Sequence, residues 1–352
     1  MEYIFEDVLE IKNGKNQKAV ENAEGQYPIY GSGGIMGYAD DYICGADTVI
    51  IGRKGSINNP IYVTERFWNV DTAFGLSAKR ELLLPRYLFY FCKKFDFEKL
   101  NKTVTIPSLT KSDLLKIKID LPVILEQQDV VDRLSKIEAV IELRKQELSV
   151  LDDLIKARFV EMFGDVQNEE KYKGIQLREL CSTISGGTPS TKFPEYYEGD
   201  IPWISTVSLG PNYIDGTTAK GYITQEAVDN SATKLIPAGN ILFGTRVGVG
   251  KSSLNNVDIC TNQDIVAIVG IDESKFNRLF IKHVLDAYQP YYDSIKKGAT
   301  ILGITGDDLK DTLIPNVPIE TQIEFEKLVH QVDKSKFVLQ KKFQIIHYSD
   351  II

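Results

Sequence analysis

The sequence predicts an α+β protein built as a tandem pseudo-repeat: two domains of one kind, each followed by a long helix, with the two helices packed together as an antiparallel coiled coil. Three observations carry this. The chain matches itself at a displacement of about 195 residues. Each copy mixes short β-type runs with Gly- and Asn-rich turns, and helical stretches are fewer. The segment joining the copies has neither Gly nor Pro from Glu126 to Met162, and its apolar residues alternate by three and four.

The repeat is clearest toward the end of each copy. A shift of 195 lays Thr105-Ile106-Pro107-Ser108-Leu109-Thr110-Lys111-Ser112-Asp113-Leu114 over Thr300-Ile301-Leu302-Gly303-Ile304-Thr305-Gly306-Asp307-Asp308-Leu309. The same register carries Ile119 onto Ile314, Gln127 onto Gln322 and Ile137-Glu138 onto Val332-Asp333. Upstream, a shift of 193 places Asn69-Val70-Asp71 on Asn262-Gln263-Asp264, and one of 192 places Val49-Ile50-Ile51-Gly52 on Ile241-Leu242-Phe243-Gly244. Loops of unequal length produce such small changes of shift.

Taken in order, residues 1–120 form the first domain, with a strand at Thr48-Val49-Ile50-Ile51 and a helix from Pro85 through Phe91. Residues 121–165 form the first spacer helix, whose apolar positions Leu134, Ile137, Ile141, Leu148, Leu151, Ile155 and Met162 make a heptad seam interrupted by Arg144 and Arg158. Residues 166–315 form the second domain, with a strand at Asp264-Ile265-Val266-Ala267-Ile268-Val269 and a helix from Asn277 through His283. Residues 316–352 form the second spacer helix, with a seam at Val329, Val332, Leu339, Phe343 and Ile346 and a polar break at Lys336. Either helix alone leaves an apolar stripe in water, so mutual packing is the economical solution. The alternative is that each helix lies only on its own domain.

At 352 residues and 43% hydrophobic content, the chain can fill a core in each domain. The net charge of −8 has the wrong sign for gripping phosphates. Its distribution softens the objection. Residues 1–120 hold 16 basic and 16 acidic side chains, and the acid excess lies in 121–165 (6 against 10) and 166–319 (14 against 18), where it can face away from a polyanion. Cys44, Cys92, Cys181 and Cys260 are far apart and form no C-x-x-C pair, and the histidines are His283, His330 and His347. That pattern fits neither a disulfide framework nor a zinc site, and reduced, buried thiols are expected. The opening Met1-Glu2-Tyr3-Ile4-Phe5-Glu6-Asp7 has no signal-peptide character and no apolar run approaches a membrane span, so the expected location is the cytoplasm.

No catalytic centre can be assembled from these residues, and no metal site is expected. Thr245-Arg246-Val247-Gly248-Val249-Gly250-Lys251-Ser252 approaches a P-loop, but Thr245 stands where the motif needs Gly, and Gly244 is one residue early. Asn59-Pro60-Ile61-Tyr62 has the outline of the Asn-Pro-Pro-aromatic motif of amino-methyltransferases without its second Pro. Gly31-Ser32-Gly33-Gly34-Ile35-Met36 breaks G-x-G-x-x-G at its last position.

Several stretches resemble the specificity subunits of type I restriction-modification systems. Ile184-Ser185-Gly186-Gly187-Thr188-Pro189-Ser190-Thr191-Lys192 with Gly199-Asp200-Ile201-Pro202-Trp203-Ile204-Ser205, and Tyr27-Pro28-Ile29-Tyr30-Gly31-Ser32-Gly33-Gly34-Ile35-Met36-Gly37 in the first copy, are similar to the opening of a target recognition domain. Leu121-Pro122, Glu126-Gln127, Leu134, Ile137-Glu138 and Met162-Phe163-Gly164-Asp165 resemble the central conserved helix. The resemblance covers nearly the whole chain. Two departures stand in the second copy: Thr321 replaces the acidic residue before Gln322, and Ile352 aligns with Ala157, so no second Met-Phe-Gly-Asp follows. The resemblance implies two target recognition domains reading a bipartite, asymmetric site in double-stranded DNA, on a chain without catalysis of its own. It implies two methyltransferase subunits as partners and, for restriction, two translocating endonuclease subunits. S-adenosylmethionine, ATP and Mg are then expected only in those partners. A stand-alone DNA methyltransferase and a scaffold without DNA function are the competing readings.

The residues expected at the DNA lie on glycine turns. Gly52-Arg53-Lys54-Gly55-Ser56 and Gly244-Thr245-Arg246-Val247-Gly248 fall at equivalent places after apolar strands, with Arg53 and Arg246 taken as counterparts. Glycine lets backbone approach a phosphate, and Arg clamps a phosphate or reads guanine through two hydrogen bonds. Gly31, Ser32, Gly33 and Gly34 join this set, as do Lys192, Lys251 and Ser252. A solvated surface turn is the alternative for each loop, and Trp203 suits either a core position or a base-stacking platform.

Overall fold

The computed structural model describes residues 1–101, 108–167 and 171–344. Two compact units emerge, one built on Met1–Lys145 and the other on Gln146–Lys341. The first runs β1 (Glu2–Ile4), α1 (Phe5–Val8), β2 (Leu9–Asn13), β3 (Tyr27–Gly31), β4 (Gly34–Ala39), β5 (Thr48–Gly52), β6 (Ile61–Val63), β7 (Trp68–Asn69), β8 (Ala73–Ala78), α2 (Pro85–Lys94), α3 (Lys111–Leu114), β9 (Lys118–Asp120) and the start of α4 (Ile124–Phe163). Its strands form a sheet in the order β2-β8-β5-β6, a smaller one in the order β4-β3-β7, and the ribbon β1-β9. All of β5 is buried, as its unbroken apolar run requires. Helix α2 covers β5, β6 and β8, and its Pro85 supplies the fixed φ that suits a first helical turn.

After α4 the second unit runs β10 (Gly174–Gln176), α5 (Leu177–Leu180), β11 (Ser182–Ser185), β12 (Ile201–Ile204), β13 (Tyr213–Ile214), β14 (Gly221–Ile223), α6 (Gln225–Asp229), β15 (Ile241–Gly244), β16 (Ser252–Asn255), β17 (Cys260–Thr261), β18 (Ile265–Val269), α7 (Arg278–Ala287), α8 (Gln289–Ile295), α9 (Gly306–Lys310), β19 (Leu313–Pro315) and α10 (Ile319–Gln344). Its sheets, β11-β18-β15-β16-β13 and β14-β12-β17 with the ribbon β10-β19, repeat the first unit strand for strand and add β13 at the edge.

Strand register corrects the alignment in two places. Tyr30 stands opposite Asn69 on parallel neighbours, and Ile204 stands opposite Thr261, so Asn69 corresponds to Thr261 and the shift there is 192. A slip of one would turn every side chain of the strand to the wrong face. The glycine stretches read as domain openings are not counterparts either. Tyr27–Tyr30 matches Ile201–Ile204, whereas Gly186 matches Gly14. A Cβ on Gly14 would come within 1.8 Å of Val70 O and one on Gly186 within 2.1 Å of Asn262 O, so both positions exclude a side chain. The stretch Thr105-Ile106-Pro107 lies outside the described residues.

The two long helices start from the same anchor. Gln127 is wholly buried; its Oε1 accepts from Leu84 N at 2.9 Å, and its Nε2 donates to Leu82 O at 2.8 Å and Pro122 O at 2.9 Å. Gln322 repeats the pattern, accepting from Asn277 N at 2.8 Å and donating to Lys275 O at 3.1 Å and Val317 O at 2.7 Å. Beyond Gln127, Val131 and Leu134 join the core of the first unit, with Ile137 packed against it.

In the second unit the far half of α4 lies antiparallel to α10. The Phe163 and Phe159 rings are 5.5 and 5.4 Å from Phe325, while Asp152 accepts from Lys336 Nζ at 2.5 Å, so one chain number falls as the other rises. Ile155, Val329 and Val332 are buried in the same core, and Leu148, Leu151, Met162 and Leu339 are half-buried. Phe159, Phe163 and Phe325, which the heptad reading omits, form its centre. Arg158 does not interrupt the seam: it is exposed and pairs with Glu161 at 2.5 Å. The Phe343 side chain and Ile346 lie outside the described residues.

Among the described residues no helix is long and apolar enough to cross a membrane. Burial pushes the Cys44 thiol up to about 12 and those of Cys181 and Cys260 up to about 11, so all three stay protonated.

Candidate nucleic-acid interface

Antiparallel pairing gathers the candidate loops at one end of each sheet. In β2-β8-β5-β6 the ends of β2 and β5 and the beginnings of β8 and β6 share that end. The β3–β4 turn reaches it as well, since a Cβ on Gly52 would meet Ser32 Cβ at 3.0 Å. The structure thus brings Gly31, Ser32, Gly33 and Gly34 beside Arg53, Lys54 and Ser56. Arg53, Lys54, Ser56 and Gly33 are exposed, Ser32 and Gly34 half-buried, and Gly31 buried.

The equivalent end of β11-β18-β15-β16 collects three segments. Gly187 N donates to Thr261 O at 2.8 Å, Thr188 Oγ1 donates to Gln263 Oε1, and Thr245 N donates to Asp264 O at 2.8 Å. Arg246 and Lys251 are exposed there, and Lys192 is exposed four residues beyond Thr188, with no contact among the described residues that places it at the sheet end. Two expected residues are not. Thr245 is buried and its hydroxyl donates to Asp264 O at 3.1 Å; Ser252 is wholly buried and donates to Asp286 Oδ1 at 2.7 Å. Both hydroxyls are committed inside the protein, because Thr245 sits directly after β15 and Ser252 begins β16.

Backbone bonds also revise which cations correspond. Arg53 N donates to Thr72 O at 2.7 Å, and Arg53 O accepts from Leu109 N at 2.9 Å. Thr245 makes the same two bonds, from its N to Asp264 O at 2.8 Å and to its O from Ile304 N at 2.9 Å. Arg53 therefore matches Thr245, and the matching cations are Lys54, which bridges Ser108, and Arg246, which bridges Gly303. The third segment, which clasps each glycine turn, is the end of the 195-residue repeat, where the sequence reading placed no site.

The other motifs resolve plainly. Residues 245–251 join the antiparallel neighbours β15 and β16, so no helix N-terminus follows the glycines to hold a phosphate. Tyr62 donates its hydroxyl to Asp47 Oδ1 at 2.9 Å with Arg86 over its ring at 4.8 Å, which commits the aromatic of Asn59–Tyr62 to the fold. Trp203 is a core residue: it is buried and its Nε1 donates to Gly187 O at 3.1 Å. Among the described residues no cluster of three His, Cys, Asp or Glu is placed to hold a metal ion.

Comparison with known proteins gives a consistent picture. The family model for the type I restriction modification DNA specificity domain matches residues 2–152 and again 169–346. The chain is similar to the type I restriction enzyme MjaIX specificity subunit of Methanocaldococcus jannaschii, 28% identical over 47% of this chain and 40% of that protein. It is also similar to the type I restriction enzyme EcoDI specificity subunit of Escherichia coli, 19% identical over 93% of this chain and 79% of that protein. The first of these matches spans about two fifths of the relative's length. A crystal structure of a type I restriction-modification system S subunit from M. genitalium shares the fold, with a TM-score of 0.57 and 15% identity over 100% of this chain and 92% of that one.

Proposed function

Because the chain belongs to the type I restriction modification DNA specificity domain family, we propose that it is the DNA-reading subunit of a type I restriction-modification complex, with each unit reading one half of a bipartite, asymmetric site in double-stranded DNA. One observation carries this reading. In both units the same end of the same sheet presents a glycine turn with an exposed cation, Lys54 or Arg246, held by an identical pair of backbone bonds and clasped by the same third segment. Two copies of one recognition surface in one chain suit two half-sites. Arg246 serves as a phosphate clamp or a two-bond reader of guanine, and Lys54 as a phosphate contact.

The chemistry belongs to partners in this reading. The chain positions two methyltransferase subunits and, in the restriction complex, two endonuclease subunits in the cytoplasm. S-adenosylmethionine, ATP and Mg act in those subunits, and this chain has no catalysis of its own. Modified-base sequencing of DNA from cells carrying the chain and its methyltransferase partner tests the proposal. A split motif with an unread spacer is the expected result, and a continuous palindrome would count against it. Methyl transfer by the purified chain alone would favour the stand-alone methyltransferase instead.

A further inference from the structure

The loop end of the second unit displays apolar side chains that its own core does not use. Val247 is 53% exposed, Ile301 54% and Leu302 56%. Backbone pairing brings their segments together. Arg246 bridges Gly303, and Gly303 in turn pairs with Lys297, each donating its N–H to the other's carbonyl at 3.0 and 2.9 Å. Residues 298–302 thus form the tip of a closed loop beside the glycine turn, and Arg246, Lys251 and Lys297 lie in the same segments.

Val247 also carries backbone strain. Its φ is 31°, in the left-handed region that a β-branched residue avoids. Its counterpart is Gly55, with φ 76°, because Gly52 and Ile57 bracket the first turn as Gly244 and Val249 bracket the second. Glycine takes this conformation without the clash, so the valine is a poor choice for the turn itself. An exposed, strained apolar side chain among cations fits a partner whose apolar groups lie between phosphates. The thymine 5-methyl is the apolar group that DNA displays in its major groove.

We propose that Val247 and Leu302 pack against the methyl group of a thymine in the half-site read by the second unit, while Arg246, Lys251 and Lys297 hold neighbouring phosphates. The proposal rests on the DNA-reading function above. It assigns the contact to one half-site only, since Gly55 offers no side chain at the equivalent turn.

The test uses the full complex with its methyltransferase partner and its cognate duplex. Each thymine of the second half-site is replaced in turn by uracil, which removes the methyl group alone. One such replacement should weaken binding about 4-fold, the effect of exposing one buried methyl. Val247→Gly should weaken binding to the thymine duplex and reduce the distinction from uracil, and Val247→Gly combined with Leu302→Ala should abolish it. Gly55 shows that the turn accepts glycine, so misfolding does not explain a loss, and Leu302→Ala repeats the test away from the strained position. Equal binding of thymine and uracil duplexes at every position, or a Val247→Gly/Leu302→Ala complex that discriminates as well as the unaltered one, would overturn the thymine contact. Arg246→Ala separates the two claims: weakened binding without any uracil effect leaves DNA reading standing and removes only the apolar contact. A complex that methylates the same motif without this chain would remove the DNA-reading function itself.

Discussion

Replacing Gln322 with Ala should loosen the second unit by an amount the structure allows to be worked out. Three hydrogen bonds join the Gln322 amide to Asn277 N, Lys275 O and Val317 O, and the residue is wholly buried. At about 1 kcal/mol net for each bond, the loss is about 3 kcal/mol, before any cavity term. With a urea slope of about 2 kcal/mol per M, the midpoint should fall by about 1.5 M. The chain has two tryptophans, Trp68 in the first unit and Trp203 in the second, and both are buried. Fluorescence in a Trp68→Phe background therefore follows the second unit by itself. Gln322→Glu sharpens the test. A carboxylate still accepts from Asn277 N but faces two carbonyl oxygens, which raises its folded-state pKa above the ordinary value of about 4.3. With a raised folded pKa the protonated form fits best, so the variant should be most stable below about pH 4 and lose stability as pH rises through the folded pKa. A midpoint shift under about 0.3 M for Gln322→Ala (roughly 0.6 kcal/mol at the same slope), or a Glu variant indifferent to pH, would refute the anchoring role.

Phe325→Ala should cost about 3 to 5 kcal/mol in the second unit, read by the same fluorescence, because its ring meets Phe159, Phe163 and His283. His283 should make that unit sensitive to acid. Burial, with Lys282 and Lys336 nearby, holds its imidazole well below the ordinary 6.5, so as pH falls through 6.5 the unfolded state gains a proton that the folded state refuses. Stability should be full above that pH and fall below it by up to about 1.4 kcal/mol per unit, and His283→Leu should flatten the profile. Lys54→Ala and Arg246→Ala in the assembled complex should each weaken DNA binding, by about 1 to 3 kcal/mol where the contact is to a base. A phosphate contact would instead weaken all sequences alike and lower the salt slope by about 0.9, as titrations at several salt concentrations would show.

The scaffold was legible in the sequence because its parts are periodic. Thr48–Ile51 and Ile265–Val269 are strands, Pro85 and Asn277 mark the helix starts, and Gln127 and Gln322 align at 195 because one anchoring arrangement requires them both. Legibility fails where tertiary pairing decides. Phe159, Phe163 and Phe325 escaped a strict three-four count because their rings turn toward α7 and the second unit's core, which a seam between two helices does not anticipate. Ser252 and Thr245 look like loop residues in a Gly-rich run, yet the strand ends draw their hydroxyls inward. The correspondence of Lys54 with Arg246 was already implied by the shift of 192 that lays Gly52 on Gly244, and the backbone bonds of Arg53 to Thr72 and of Thr245 to Asp264 fix it against the pairing of the two arginines.

The net charge of −8 limits how such a chain can hold DNA. At the loop ends the exposed cations of the described residues include Lys15, Arg53 and Lys54 in one unit and Arg246, Lys251 and Lys297 in the other. Each phosphate contact adds a salt-dependent increment, and the acidic remainder of the chain opposes it over roughly a Debye length of 10 Å. Under the proposed function, affinity from these surfaces alone should therefore be small, and binding by the isolated chain should be weaker than binding by the complex with its methyltransferase partner. Under that function, what the two matched sheet ends supply instead is discrimination, since turns held by backbone bonds lose little ordering entropy on contact. If the proposed function holds, exchanging those turns should change the bases read without disturbing the buried glutamines or the aromatic core of the second unit, which methylome sequencing of the exchanged chain would show.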